Sequence, residues 1–131
     1  EPRRLTQEEL GEKFSFSLSR KIYSVNGVKF VYANEGETYS SIASRYDLFP
    51  KEILRFNDAG ANRALMTGEV VYIQAKKTKA ARGMDKYISD EGGETMRDLS
   101  QRFGLKLKNL CKMNGRGEGY VSQPGDEFIL R

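Results

Sequence analysis

Gly36-Glu37-Thr38-Tyr39-Ser40-Ser41-Ile42-Ala43 opens a stretch that passes through Ile53-Leu54-Arg55-Phe56-Asn57 and closes Thr67-Gly68-Glu69-Val70-Val71-Tyr72-Ile73. The same stretch recurs 57 residues later, opening Gly93-Glu94-Thr95 and closing Pro124-Gly125-Asp126-Glu127-Phe128-Ile129-Leu130. Between those ends the register holds without a gap: Arg45 meets Arg102, Tyr46 meets Phe103, Leu48 meets Leu105, Ile53 meets Leu110, and Asn57 meets Asn114. A constant offset over so many matched residue types marks an internal repeat, and a repeat decides the fold before any single element does.

Each copy reads as strand, helix, helix, strand. The first strands are Phe30 to Ala33 and Tyr87 to Ser89, followed by glycine turns, the second one residue longer. Thr38 and Thr95 stand where helix N-caps belong, with Asp98 three residues after Thr95 as in a capping box. Behind Thr38, Tyr39, Ile42, Ala43 and Tyr46 fall on one helical face; behind Thr95, Met96, Leu99 and Phe103 do the same. Breaks at Asp47 and Gly104 precede second helices over Pro50 to Phe56 and Leu107 to Met113. Asn57 and Asn114 are expected to end them as residues tolerant of left-handed φ. Val70 to Gln74 and Glu127 to Leu130 form the last strands. Upstream, Asn26-Gly27 between two β-rich runs predicts a hairpin with a type I′ turn. The expectation is an α+β fold: two βααβ units, each a two-stranded antiparallel sheet with both helices on one face, preceded by a β-hairpin. Thr6-Gln7-Glu8-Glu9 suggests a short capped helix in the lead-in.

The chain has 131 residues, with 38% hydrophobic and 31% charged, enough for two very small domains. The segments are a lead-in over 1–20, the hairpin and first unit over 21–74, a basic linker over 75–84, and the second unit over 85–131. The net charge of +4 sits in the linker, whose Lys76, Lys77, Lys79 and Arg82 have no acidic neighbour there. Like charges without periodicity read as a solvated tether. Each unit is nearly neutral, which argues against a nucleic-acid interface, since that needs a basic face on a folded module. The lone Cys111 allows no intrachain disulfide and matches Leu54 on an apolar helical position. With no histidine in the chain, the commonest general base and metal ligand is absent; no cofactor or metal is expected. No apolar run approaches the ~18 residues of a membrane span.

The ordered set resembles the lysin motif, LysM: Gly36-Glu37-Thr38, Ile42-Ala43, Ile53 to Asn57, and Gly68 to Ile73, then Gly93-Glu94-Thr95, Leu99-Ser100, Leu110 to Asn114, and Gly125 to Leu130. The tandem also looks like the C-terminal part of some Bacteroidetes cell-wall glucosaminidases, which would make residues 1–20 the connection to an upstream catalytic domain. The second helices depart from the family pattern in having Phe49 and Lys106 where a polar N-cap is usual.

The resemblance implies binding of N-acetylglucosamine glycans such as peptidoglycan, by an exported, periplasmic or wall-associated module. The groove it implies runs between the loop after the first strand and the loop after the second helix. Carried over by position, its walls hold Gly36, Glu37, Thr38, Tyr39, Asn57 and Leu65 in the first copy. In the second they hold Gly93, Glu94, Thr95, Met96, Asn114, Tyr120 and Val121. Glycine permits close backbone approach to a sugar, and an apolar floor can take an acetamido methyl. Every one of these residues also has a plain structural role as turn, cap, helix end or core. Tyr120, in the glycine-rich loop Gly115 to Gly119, is expected to stack on a sugar; the first copy has no aromatic there, so the two copies should bind unequally. Catalysis would need two carboxylates flanking one bond in a cleft; Glu35, Glu37, Glu91 and Glu94 lie near shallow grooves that offer little burial to raise an acid's pKa. The competing reading is a pair of degenerate repeats serving as a protein-interaction scaffold.

Overall fold

The structure, a computed structural model, describes residues 20–131; the capping-box pattern at Thr6 lies outside them. Strands β1 (Tyr23–Val25) and β2 (Val28–Tyr32) form the expected hairpin. Asn26 and Gly27 take φ of 54° and 74°, as a type I′ turn requires. Helices α1 (Tyr39–Arg45) and α2 (Pro50–Phe56) follow, and β3 (Val70–Tyr72) returns antiparallel to β2, with Val31 opposite Val71. The second half repeats the order: β4 (Lys86–Ile88), α3 (Met96–Phe103), α4 (Leu107–Asn114) and β5 (Glu127–Ile129), with β4 and β5 antiparallel. The α+β class and the βααβ plan are those expected; the strands are shorter at their ends than the sequence suggested.

Local chemistry explains the elements. Thr38 and Thr95 each accept from the backbone three residues on, and Ser41 and Asp98 accept from the cap in return. Pro50 opens α2, where its missing N–H leaves no partner wanting. Alternation along β2 puts Val31 against the helices with Ile42, Ala43, Ile53 and Val71. It puts Val28 and Phe30 on the opposite face with Tyr72. In the second half, Leu99, Leu105, Leu110, Phe128 and Leu130 form a separate core. Cys111 packs at its edge, as its match to Leu54 implied, and burial raises its thiol pKa.

Asn57 and Asn114 correct the helix-end reading. Asn57 has a φ of −108° and Asn114 is still helical; the left-handed residues come one later, at Asp58 (φ 52°) and Gly115 (φ 61°). The asparagine amides instead join helix to strand. Asn57 Nδ2 donates to Ile53 O at 2.8 Å and Tyr72 O at 2.9 Å, while its Oδ1 accepts from Tyr72 N at 2.7 Å. Asn114 repeats this with Leu110 O and with both backbone groups of Ile129.

The basic segment is a solvated tether only in part: Lys76 and Ala80 are buried, while Lys77, Lys79 and Arg82 are exposed. Lys76 is 3% exposed, its Nζ 2.7 Å from Asp58 Oδ2 and 3.0 Å from Ser100 Oγ. Burial lowers its pKa, against the pull of the Asp58 carboxylate. Lys77 pairs through its backbone with Gly104 O and Lys106 N, and Ala80 N donates to Leu130 O. Gly104 lies so close to the hairpin that a Cβ there would meet Val25 O at 3.1 Å, at a φ of +67° that favours glycine anyway. The halves meet further through Tyr72 Oη donating to Gln101 O and Gln101 Nε2 donating to Asn57 Oδ1 at 3.0 Å. Asp58 Oδ2 also accepts from Leu107 N at 3.0 Å, capping from the first half the helix for which Lys106 supplies no cap.

Two stability differences are expected in urea denaturation. Asn57→Ala strands the buried N–H and C=O of Tyr72 and should cost about 3 kcal/mol. Asn114→Ala, at a half-buried position, should cost about 1 kcal/mol, so equal losses would contradict the assignment. Lys76→Ala leaves Asp58 without its cation and should cost about 2 kcal/mol, below the range for fully buried pairs because Asp58 is partly exposed. Lys79→Ala, at an exposed position, should stay within about 0.5 kcal/mol of wild type.

Candidate functional site

The two loops named as groove walls touch in both halves. Thr38 bridges to Ala64, and Leu65 N donates to Glu37 O at 2.9 Å. Thr95 bridges to Val121, and Ser122 N donates to Glu94 O at 2.8 Å. The offset of 57 therefore continues through this loop. Val121 corresponds to Ala64, and Leu65 to Ser122, so the two apolar wall residues, Leu65 and Val121, stand one position apart in the repeat. The difference matters, because Leu65 is buried in the core while Val121 is 43% exposed.

Gly36 and Gly93 have φ of +82° and +87° with open space where a side chain would stand, so the backbone is bare there. Thr38 and Thr95 are half-buried and occupied as caps. Tyr39 and Met96 are 1% and 0% exposed and belong to the cores, not to a sugar platform. Asn57 is fully buried with its amide committed, which withdraws its side chain from any ligand. Asn114 is half-buried and committed in the same way.

Tyr120 also departs from expectation. The Arg116 guanidinium lies 4.5 Å over its ring, Phe128 packs edge-on at 6.3 Å, and its hydroxyl donates to Asp126. A ring covered in this way is not a free stacking surface. Its bond to Asp126 stands where the first half has the Arg63–Glu69 ion pair, at the same offset.

The acidic wall residues hold the loops together. Glu37 accepts from Arg20 Nη1 at 2.7 Å and from Asn34 N at 2.6 Å. Burial alone would raise its pKa, but the Arg20 and Asn34 hydrogen bonds outweigh it and the pKa falls. Glu94 is likewise lowered: desolvation is overcome by donors from Tyr87, Ser89 and Arg102. The Arg63 hydrogen bond lowers Glu69, and the Tyr120 hydroxyl lowers Asp126. Carboxylates held ionised are the reverse of the raised-pKa general acid that glycoside cleavage uses. Among the described residues, no group of three or more His, Cys, Asp or Glu side chains is placed to hold a metal, and no helix is long and apolar enough to cross a membrane.

Sequence reasoning missed two spaces, both formed by contacts between the halves. A cleft of about 950 Å³ opens between the outer face of the first sheet, with Tyr23, Phe30 and Tyr72, and the α3 residues Arg97, Gln101 and Arg102. A smaller pocket of about 310 Å³ is lined by Asp58, Ala59, Gly60, Ala61 and Arg63 of the second wall together with Arg97 from α3. Arg97 donates to Asp58 O at 2.5 Å and to Asn57 O at 2.8 Å. No local pattern in the sequence announces either space.

Residues 34–74 match the LysM domain family. That segment holds α1, α2 and β3 and both walls of the first groove. LysM domains are non-catalytic modules that bind N-acetylglucosamine glycans such as peptidoglycan. No curated protein matches the chain. Among solved structures, the chain is similar to the spore cortex-lytic enzyme SleL of Bacillus cereus, at 21% identity and a TM-score of 0.33, over 79% of this chain and 22% of that one. SleL of Bacillus megaterium QM B1551 matches at 17% identity and a TM-score of 0.32, over 76% and 21%. The chain thus spans about a fifth of the length of those enzymes.

The lowered carboxylates set the acid behaviour. A carboxyl with a lower pKa folded than unfolded binds fewer protons in the folded state. The stability it contributes is complete above the unfolded value, 4.5 for Glu37, Glu69 and Glu94 and 3.8 for Asp126. It is lost as pH falls through the lowered folded values. The urea midpoint should therefore hold between pH 7 and about 5 and drop towards pH 3, with the drop shallower in the Glu37→Gln/Glu94→Gln double variant. A wild-type midpoint unchanged down to pH 3 would contradict the assignment.

Proposed function

We propose that the chain is a non-catalytic binding module for N-acetylglucosamine glycan, with peptidoglycan as its target, and that it anchors an attached cell-wall hydrolase. The observation that carries this is the LysM match over residues 34–74, together with two wall loops that meet and leave bare backbone at Gly36. Residues 85–131 act as a second LysM module, supported by the shared offset, the same element order and the matching loop contacts. The modules span 21–74 and 85–131, and residues 75–84 connect them. The anchored hydrolase and an exported, wall-associated location follow from the family resemblance of the tandem.

With Tyr39, Met96 and Asn57 buried and Tyr120 covered, the contacts left to a sugar are backbone groups of the two loops, at Glu35 and Gly36 and in the loop after α2, since Glu37 O and Thr38 N are taken by Leu65 and Ser41. Backbone N–H and C=O groups suit an acetamido group, which carries one acceptor and one donor. The scaffold reading makes the opposite demand, that no sugar binds.

Titration of isotope-labelled protein with the N-acetylglucosamine tetramer separates the two. Amide shifts should concentrate at residues 35–39 and 58–65, with weaker shifts at 93–96 and 115–122. No shifts at millimolar tetramer would remove the glycan reading in favour of the scaffold.

A further inference from the structure

The exposed backbone at Glu35 and Gly36 sits in a turn held by one carboxylate. Glu37 N donates to Asn34 O at 3.2 Å, and Asn34 N donates back to Glu37 Oε1 at 2.6 Å, so the turn closes on itself. Arg20 fixes that carboxylate. Its Nη1 donates to Glu37 Oε2 at 2.7 Å and its Nη2 to Glu37 Oε1 at 2.5 Å, and Nη2 also donates to Tyr32 O at the end of β2. The Arg20 side chain is 9% exposed and that of Glu37 15%, so the pair is largely shielded from water. A two-pronged guanidinium–carboxylate contact sets orientation as well as distance.

The second half shows what Arg20 stands in for. Ala33 and Ser89 are equivalent, since Ala33 N donates to Glu69 O as Ser89 N donates to Asp126 O. The strand register makes Val31 and Tyr87 equivalent in the same way, opposite Val71 and Phe128. Ser89 Oγ and Tyr87 Oη each donate to Glu94 at 2.7 Å, and Arg102 adds an ion pair. With alanine and valine at those two places, the first half lacks both hydroxyl donors. Arg45 stands where Arg102 does and its charge acts on Glu37. The two missing hydrogen bonds come from Arg20, which lies before the hairpin and outside the 34–74 segment that matches the LysM family.

We infer that Arg20 is a positioning residue for the first groove: by gripping Glu37 and the Tyr32 carbonyl, it holds the Glu35–Gly36 backbone in the geometry that docks an N-acetylated sugar. That role rests on the glycan reading above, and it makes the first groove dependent on a residue that the family segment does not contain. A turn without the anchor has to be ordered at the moment of binding, and that ordering is subtracted from affinity.

The test follows both grooves in one titration of the isotope-labelled full chain with the N-acetylglucosamine tetramer. Amides of residues 35–39 and 58–65 report the first groove, and those of 93–96 and 115–122 the second. Arg20→Gln should weaken binding at the first groove about fivefold and leave the second at its wild-type value. Arg20→Lys keeps the charge but not the fork and should recover part of the loss. Glu37→Gln should weaken the first groove as much as Arg20→Gln, and the double variant no more than either, because all three remove one contact. The Glu37 carboxyl carbon gives a readout that needs no sugar. Burial pushes the Glu37 pKa up, but the Arg20 hydrogen bonds, Asn34 N and the Arg45 charge hold it below 4.5. Arg20→Gln should therefore move its titration to higher pH, and the acid loss of binding at the first groove should move with it. Equal weakening of both grooves, no weakening of the first, losses that add in the double variant, or a Glu37 titration that stays in place would each overturn the role of Arg20 and leave glycan binding intact. A wild-type chain that binds no tetramer removes the glycan reading and this role together.

Discussion

The Asn57 side chain has two N–H donors and an oxygen with two lone pairs, and all four are used. Ile53 O and Tyr72 O take the donors; Tyr72 N and Gln101 Nε2 fill the oxygen. Three of those bonds close the first half, tying the end of α2 to β3. The fourth reaches α3 of the second half, and the Asn57 carbonyl accepts from Arg97 on the same helix. A two-stranded return leaves the far edge of β3 unpaired, and an unpaired edge with nothing over it is a liability. The amide acts there as a one-residue strand. It also explains how so small a core stays closed, because the helix end has no other bond to the strand that follows its long loop.

From that point the contact between the halves is polar and part-buried, with Lys76 and Ser100 its buried members. Lys76, Asp58, Ser100, Gln101 and Arg97 form one network across the joint, with Tyr72 donating at its edge. A polar joint of this kind discriminates strongly between right and wrong geometry, since each group left unpaired costs its full desolvation. An apolar joint tolerates sliding. The two halves are thus held in one register although their apolar cores stay separate.

Elements set by local pattern were legible in the sequence. The hairpin at Asn26-Gly27, the threonine caps, Pro50 and the apolar faces of α1 and α3 depend on neighbours three or four residues away. The misreadings came from long-range contacts. Lys76 looks like one member of a basic run, and only its burial against Asp58 and Ser100 makes it part of the interior. Tyr120 looks free in a glycine-rich loop, yet Arg116 four residues earlier covers it. Here the repeat did hold a usable signal. Positions 63 and 69 are Arg and Glu, positions 120 and 126 are Tyr and Asp, and either pair can bond across the same turn. The same offset matches Ala64 with Val121. What no offset supplies is Arg97, because its partners Asn57 and Asp58 lie in the other copy.

The way the loops are held limits how they can recognise anything. Glu37 and Glu94 face inward to bind the chain that forms their own walls, and Glu69 and Asp126 do the same beneath the next turn. A loop that uses its ionisable side chains for its own geometry presents mostly backbone to solvent. Rigid backbone loses little entropy when a ligand docks, which lets a small surface bind at a low ordering cost. Such a surface reads groups common to many sugars and discriminates poorly among them. Discrimination then falls to side chains at the margin of the loop.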